Sequence, residues 1–394
     1  MKALHIITGL GVGGAEQQLR LLLRELPFTC DVVTLTNPGS VADGLRADGV
    51  RVADLGMRGN RDLAALPRLA RLIRRGGYDL VHTHLYRACV YGRVAARLAG
   101  VRTVVATEHS LGETEIEGRP LTRGVRALYL ATERLGSATV AVSGTVARRL
   151  RGWGVPADRI HVVTNGIDAA RFRFDKDDRA AVRSRLGVPD HAFVVGGVGR
   201  LAPGKRFDLL VRAVAALPDA VLLLAGDGPE RRRLGTLAER LGAAGRIRLL
   251  GEWDQPDIPG LLSAMDVFVS ASREEAFGLA VVEALAAGLP VLHGACPAVD
   301  DLPPGSAPGA RRLFADSPHA AAGGDDEDDA RDAAELAAAL RELSAAAGQR
   351  LDPPPVVHHY DIARSAERLT EVYAHALAGA AAAPTPPSTR RALP

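Results

Sequence analysis

Cysteine, lysine and aromatic side chains are all scarce in this chain, and each shortage narrows what it does. Its three cysteines, Cys30, Cys89 and Cys296, are odd in number and far apart, which argues against a disulfide framework. Aromatic residues make up only 4% of the sequence and glycines number 42, the profile of an Ala/Val/Leu-rich α/β protein with many tight turns. No apolar run approaches the roughly 20 residues needed to span a bilayer. The first strand begins directly after Met1-Lys2, so no secretion signal is expected and the location reads as cytoplasmic. Lys2, Lys176 and Lys205 are the only lysines among 49 basic residues, and the rest are arginines interspersed with 46 acids. The net charge of +3 is therefore spread along the chain, and no nucleic-acid partner is expected.

At 394 residues the chain exceeds one ordinary core, so two domains are expected. Short β-rich runs alternate with amphipathic helices, the pattern of parallel sheets with crossover helices. Strands are predicted at ALHIIT, CDVVTLT, VRVADL, DLVHTH, RTVVATE, ATVAVS and IHVVT, then at FVVGGVGR, AVLLLAGD, RIRLLGE, DVFVSAS and PVLHG. The fold class is α/β, with two doubly wound units over 1–170 and 171–355. A helix over 356–378 and a disordered tail over 379–394 follow. The acidic stretch 323–332 has no periodicity, and its Asp326-x-Asp328 pair, although of metal-binding form, reads as solvated charge. A helix is predicted to begin near 331.

Residues 274–292 carry the strongest chemical signal. Glu275 precedes a Phe277-Gly278-Leu279 turn and Glu283 falls in the second turn of the helix that follows. The free amides of Phe277, Gly278 and Leu279 at that helix end suit an anion. Two acids beside an anion site fit a ligand with both hydroxyls and phosphates, such as a nucleotide sugar. In GVGRLAPGK, Arg200 ends a strand and Lys205 follows across a Pro-Gly turn, so a guanidinium fork and an ammonium can share a diphosphate. Gly226 and Gly251 end the next two strands, and Asn165-Gly166 reads as a tight turn with φ > 0 where the domains join.

Gly9, Gly11 and Gly14 form G-x-G-x-x-G between a strand and a helix. A dinucleotide site also needs an acid at the end of the second strand. That strand ends at Thr36-Asn37, with Asp31 on the wrong side, so an NAD-dependent oxidoreductase is disfavoured. What remains is close backbone approach to a ligand, with Gly13 and Gly14 facing the interdomain cleft. His82, His84 and His109 end adjacent strands, an arrangement that can hold zinc. No Cys or acid completes the set, so a hydrogen-bonded cleft lining is expected and no metal. His109 is the candidate for substrate contact; Glu108 beside it reads equally as structural. Basic and apolar residues alternate in 68–75, 119–130 and 147–153. Such faces fit an anionic membrane surface, on the inner face of the membrane, or are solvated helix surfaces.

Taken in order, GVGGAE at 11–16, the His-bearing strand ends, NGID at 165–168, GRLAPGK at 199–205, GDGPE at 226–230 and the E-x7-E pair resemble the retaining glycosyltransferases of family GT4, over about residues 1–292 and the final helix. The resemblance implies the GT-B architecture: two Rossmann-like domains facing a cleft, an N-terminal acceptor domain, a C-terminal nucleotide-sugar domain, and a last helix returning to the first. It implies Glu283 on the ribose and Glu275 by the donor sugar. It also implies Phe277, Gly278 and Leu279 on sugar or phosphate, Arg200 and Lys205 on the diphosphate, and His109 at the sugar. Gly13, Gly14, Asn165, Gly226 and Gly251 would line the donor, and no bound metal or other cofactor is expected. Ala276 and Arg206 stand where the family often has glycine, and HGACPAVDDLPPG replaces a more usual glycine-rich turn. The expected activity is transfer from a nucleotide sugar, UDP-sugar favoured, to a lipid-linked or cell-surface polysaccharide acceptor. A transferase for small soluble acceptors is the near alternative, and a nucleotide-sugar epimerase the alternative from another class.

Overall fold

The computed structural model describes residues 1–113, 115–117, 119–314, 326–345 and 347–382. In chain order the first half supplies β1 (Lys2–Ile7), β2 (Thr29–Thr34), β3 (Arg51–Asp54), β4 (Leu80–His84) and β5 (Thr103–Glu108). The hairpin β6 (Glu115–Ile116) and β7 (Arg119–Pro120) follows, then β8 (Ala138–Ala141) and β9 (Ile160–Val162). The second half supplies β10 (Phe193–Val198), β11 (Ala220–Ala225), β12 (Ile247–Gly251), β13 (Val267–Ser270), β14 (Val291–His293) and β15 (Ala310–Arg312). The two large sheets are parallel throughout, in the orders β3-β2-β1-β4-β5-β8-β9 and β12-β11-β10-β13-β14-β15. In each, the order reverses beside the central strand, β1 or β10. That is where an open α/β sheet leaves a crevice at its strand C-termini. The expected pair of doubly wound units is the observed fold.

Local chemistry explains the elements. The central strands are buried on both faces, as parallel sheets covered by helices require. Helix Lys176–Leu186 starts where the Asp175 carboxylate accepts from the amides of Asp177 and Asp178, and stops at left-handed Gly187. Helix Ala65–Gly76 buries Ala65, Leu69, Ala70 and Ile73 and turns its arginines outward.

The chain crosses between domains twice. Residues after β9 lead out through Ile167, and Asp361 leads back into helix Ile362–Ala382, which packs on helix Gly14–Glu25. Ile167 N donates to Tyr360 O (2.7 Å) and Ile362 N to Ile167 O (3.1 Å), so the crossings lie side by side as a parallel bridge. Gly166 sits there without positive φ, contrary to the tight turn expected from Asn165-Gly166. It is constrained by proximity, since a Cβ would stand 2.6 Å from Ile362 Cα.

Two other expectations are corrected. The helix expected near 331 begins at Asp326, so the acidic stretch is partly its first turns. Residues 295–310, which read in the sequence as a Pro/Gly-rich loop, contain a helix, Pro297–Asp300, and lead into a further strand, β15. The final helix runs on to Ala382, and 383–394 lie outside the described residues.

Candidate functional site

Three neighbouring strand ends form a shelf in the C-terminal domain. Gly199 follows β10, Gly226 follows β11 and Gly251 ends β12, all with positive φ. Gly199 N donates to Ala225 O (2.9 Å) and Gly226 N to Gly251 O (2.7 Å). Arg200 projects from this edge, exposed and without a side-chain partner among the described residues. Lys205 closes a short 3-10 turn, Pro203–Lys205, before helix Phe207–Ala215. Its ammonium meets the Glu275 carboxylate in an ion pair. Ser272 Oγ donates to the same carboxylate oxygen at 2.8 Å.

Beyond Glu275 the backbone reaches Gly278 at φ +102, and helix Leu279–Ala286 starts there. Among the described residues no acceptor meets the amides of Phe277, Gly278 or Leu279, so the free positive helix end expected from sequence is present. Phe277 is buried edge-on against Tyr360, with ring centroids 4.9 Å apart. Its backbone, and not its ring, faces this site. Glu283 lies in the second turn. Burial raises its carboxyl pKa to about 7, with Arg171 pulling the other way.

From the N-terminal domain, Gly14 opens helix Gly14–Glu25, and a Cβ there would stand 3.4 Å from Leu279 Cδ1. The two helix starts, one from each domain, therefore oppose each other across the cleft. The space beside Gly13 is occupied by the Glu16 carboxylate, which folds back within 2.3 Å of where a Cβ would be. Asn165 is buried next to the crossing, where Gly166 N donates to Gln18 Oε1 (3.1 Å). It thus sits at the join and not on the shelf.

His109 belongs to a line of three rings. His5 Nδ1 pairs with His84 Nε2 at 3.0 Å, and His84 Nδ1 with His109 Nε2 at 3.0 Å. A neutral imidazole offers one donor and one acceptor, so the tautomer of one ring sets the others. His82 is held separately, by Tyr373 Oη at 2.5 Å and Thr107 Oγ1 at 2.7 Å. The closest nitrogen cluster is accordingly His5, His82 and His84, not the trio of His82, His84 and His109 read from sequence. His5 went unnoticed because only the β1–β4 register sets it opposite His82. Glu108 is buried with Arg93, Tyr129 and Cys89 as its neighbours.

Burial lowers the pKa of His5 to about 3 and of His109 to about 4, and holds His82 and His84 well below 6.5. Such rings stabilise the fold fully above pH 6.5 and lose that contribution as pH falls. Glu16, Glu108 and Glu283, each raised from 4.5 to about 7 by burial, have the opposite sign. Their contribution is complete below 4.5 and is lost as pH rises through 7. Between 6.5 and 4.5 the loss from four rings is offset in large part by the gain from three carboxyls. Below 4.5 the histidine loss continues unopposed, and carboxylates held low by ion pairs, such as Asp48, lose their contribution as well. Urea unfolding should therefore give a shallow fall in stability from pH 6.5 to 4.5 and a steeper one below. An equally steep fall from pH 6.5 downward would show that the carboxyls are not held neutral.

In the 147–153 run, Arg148 and Arg149 reach across to the other domain, while Arg151 is exposed. Arg149 pairs with Glu274 (2.8 Å) and donates to the carbonyls of Leu111 (2.8 Å) and Glu275 (3.4 Å). Arg148 and Thr145 hold Asp301. In the 119–130 run, Arg126 caps the carbonyls of Gly152 and Trp153. Helix Ala65–Gly76 keeps its exposed arginines, beside Leu63, which is 70% exposed. Among the described residues, no helix is long and apolar enough to cross a membrane.

Residues 12–171 match the family model described as Glycosyltransferase Family 4, and residues 178–302 match Glycosyl transferases group 1. A GDP-mannose-dependent alpha-mannosyltransferase of Mycobacterium tuberculosis is 34% identical over 266 residues, 65% of this chain and 68% of that protein. A UDP-Gal:alpha-D-GlcNAc-diphosphoundecaprenol alpha-1,3-galactosyltransferase of Escherichia coli is 31% identical over 242 residues, 59% of this chain and 62% of that protein. The chain spans about half the length of the first curated relatives it matches, D-inositol 3-phosphate glycosyltransferases from Salinispora and Streptomyces. Among solved structures, Anabaena HepE in complex with UDP-glucose superposes with a TM-score of 0.74 at 23% identity. The likeness covers 95% of this chain and all of that one.

Proposed function

The chain belongs to Glycosyltransferase Family 4, and from that premise we propose that it moves a sugar from a UDP-sugar to a lipid-linked or cell-surface polysaccharide acceptor, with retention of configuration and without a bound metal. One observation carries the reading: Arg200 and the Lys205–Glu275 pair lie at the strand-end crevice beside the free amides of Phe277 to Leu279. Arg200, Lys205 and the helix end would share the diphosphate and stabilise the departing nucleotide. Glu275 would hold a sugar hydroxyl once Lys205 turns to phosphate, and Glu283 would hold the ribose. Gly226 and Gly251 would leave a flat edge for the base. His109, whose Nδ1 has no partner among the described residues, would reach the sugar from the opposite domain. The bond to the leaving phosphate loosens first and the acceptor attacks the same face, so positioning replaces a strong nucleophile.

A thermal-shift panel of UDP-, GDP- and ADP-sugars and NAD, with and without EDTA, tests this. A nucleotide sugar should stabilise the protein equally in both conditions; a shift with NAD alone would sink the reading. Epimerase activity would instead turn over donor without acceptor. The lipid-linked acceptor is supported by the exposed arginines of helix Ala65–Gly76 with Leu63 and Leu98. Flotation with anionic liposomes should recover the protein at low salt and release it at high salt. No binding at low salt would favour a small soluble acceptor.

The raised pKa of Glu283 has its own signature. The carboxylate accepts from two hydroxyls, whereas the protonated form must donate one of its contacts. UDP-sugar affinity should therefore improve as pH rises through 7. Glu283→Gln should flatten that profile and weaken binding roughly tenfold. An unchanged profile in the variant would remove Glu283 from the ribose.

A further inference from the structure

The acidic turn that reads as solvated charge in the sequence fastens both loops of the anion site. Arg206 follows Lys205 directly and has φ +51, a left-handed conformation that disfavours a side chain. Its guanidinium, only 6% exposed, donates to Asp332 Oδ2 at 2.6 Å and Asp329 Oδ1 at 2.9 Å, and lies over Phe314. Asp332 is itself 1% exposed. The same Asp329 oxygen accepts from Arg273 Nη2 at 3.1 Å, two residues before Glu275. Arg273 N also donates to Gly204 O at 3.3 Å, which ties the two loops to each other. One turn of helix Asp326–Ser344 thus grips the loop that carries Lys205 and the loop that carries Glu275.

We propose that Asp329 and Asp332 are positioning residues for the donor diphosphate. They hold Arg206 in its left-handed conformation, and so keep Lys205 and Glu275 converged on one point. The proposal rests on the donor-binding reading of those two residues. It carries a specific corollary: glycine adopts φ +51 without help, so with glycine at 206 the Lys205 loop no longer needs the acids.

The experiment compares wild type, D329N/D332N, and D329N/D332N carrying Arg206→Gly, by amide hydrogen exchange of the ligand-free proteins and by UDP titration. In D329N/D332N the amides of Lys205, Arg206 and Arg273 should exchange roughly tenfold faster or more, with β10 and β11 unchanged. UDP affinity and donor KM should worsen by a comparable factor, with kcat less affected. Adding Arg206→Gly should restore protection at Lys205 and most of the UDP affinity. Exchange at wild-type rates in D329N/D332N, or no restoration by glycine, would overturn the clasp. If wild type binds no UDP, the donor reading is at fault, while amide exchange still decides whether the acids order these loops.

Discussion

Arg200→Ala should lower kcat/KM for sugar transfer by roughly 100- to 1,000-fold, the loss typical of one charge-stabilising group removed from a transition state. The melting temperature should not move, because the side chain is exposed and engages no described residue. That separation makes Arg200 a cleaner probe than Lys205, whose removal also strips Glu275 of its ion pair. A guanidinium held ready at a strand end has nothing to do in the free protein. Its contribution appears when negative charge builds on the leaving nucleotide. Steady-state kinetics with saturating acceptor, alongside calorimetry, checks both halves. Near-normal turnover would remove Arg200 from the reaction, and a drop in melting temperature would recast it as structural.

Gly226→Ala should act in the opposite manner, through the fold. A Cβ at that position would lie 1.9 Å from Gly199 O, an atom of backbone that no rotamer change can move aside, and φ is +130. Relief would require β10 and β11 to part at the strand ends. The expected cost is about 3 kcal/mol or more of stability, together with loss of nucleotide binding, since the displaced carbonyl belongs to the residue before Arg200. Urea unfolding of the variant measures the first and UDP titration the second. A variant with native stability would mean that the strand ends yield easily and that the shelf is not rigid.

Much of this architecture was legible in residue order. Alternating apolar runs and helices gave both sheets, and the position of Glu275, Gly278 and Glu283 relative to one helix start was readable from spacing. The helix end with free amides followed from the same local rule. What escaped depended on chain segments far apart in sequence. His5 meets His84 only through the register of β1 on β4. Arg149 finds Glu274 only when the two domains face each other, and its local pattern resembled an amphipathic surface run. Gly166 looked like a turn residue because Asn-Gly often is one, yet its constraint comes from Ile362, nearly two hundred residues away. Composition misled for 323–332 as well: charge density suggested solvation, while Asp332 is buried against Arg206.

The side-by-side crossings at Ile167 and Asp361 have a mechanical consequence. Two strands of chain join the halves of the molecule, and they are hydrogen-bonded neighbours. Rotation of one half on the other therefore turns about a single fulcrum, and displacement grows with distance from it. The glycine at 166 keeps that fulcrum narrow, with no side chain between the outgoing and returning segments. Groups beside it, such as Asn165, would move least in such a rotation, and the ion pair of Arg149 with Glu274, which spans the domains, would have to adjust. A small turn at the crossing is thus read out as a large change in the gap between the domains.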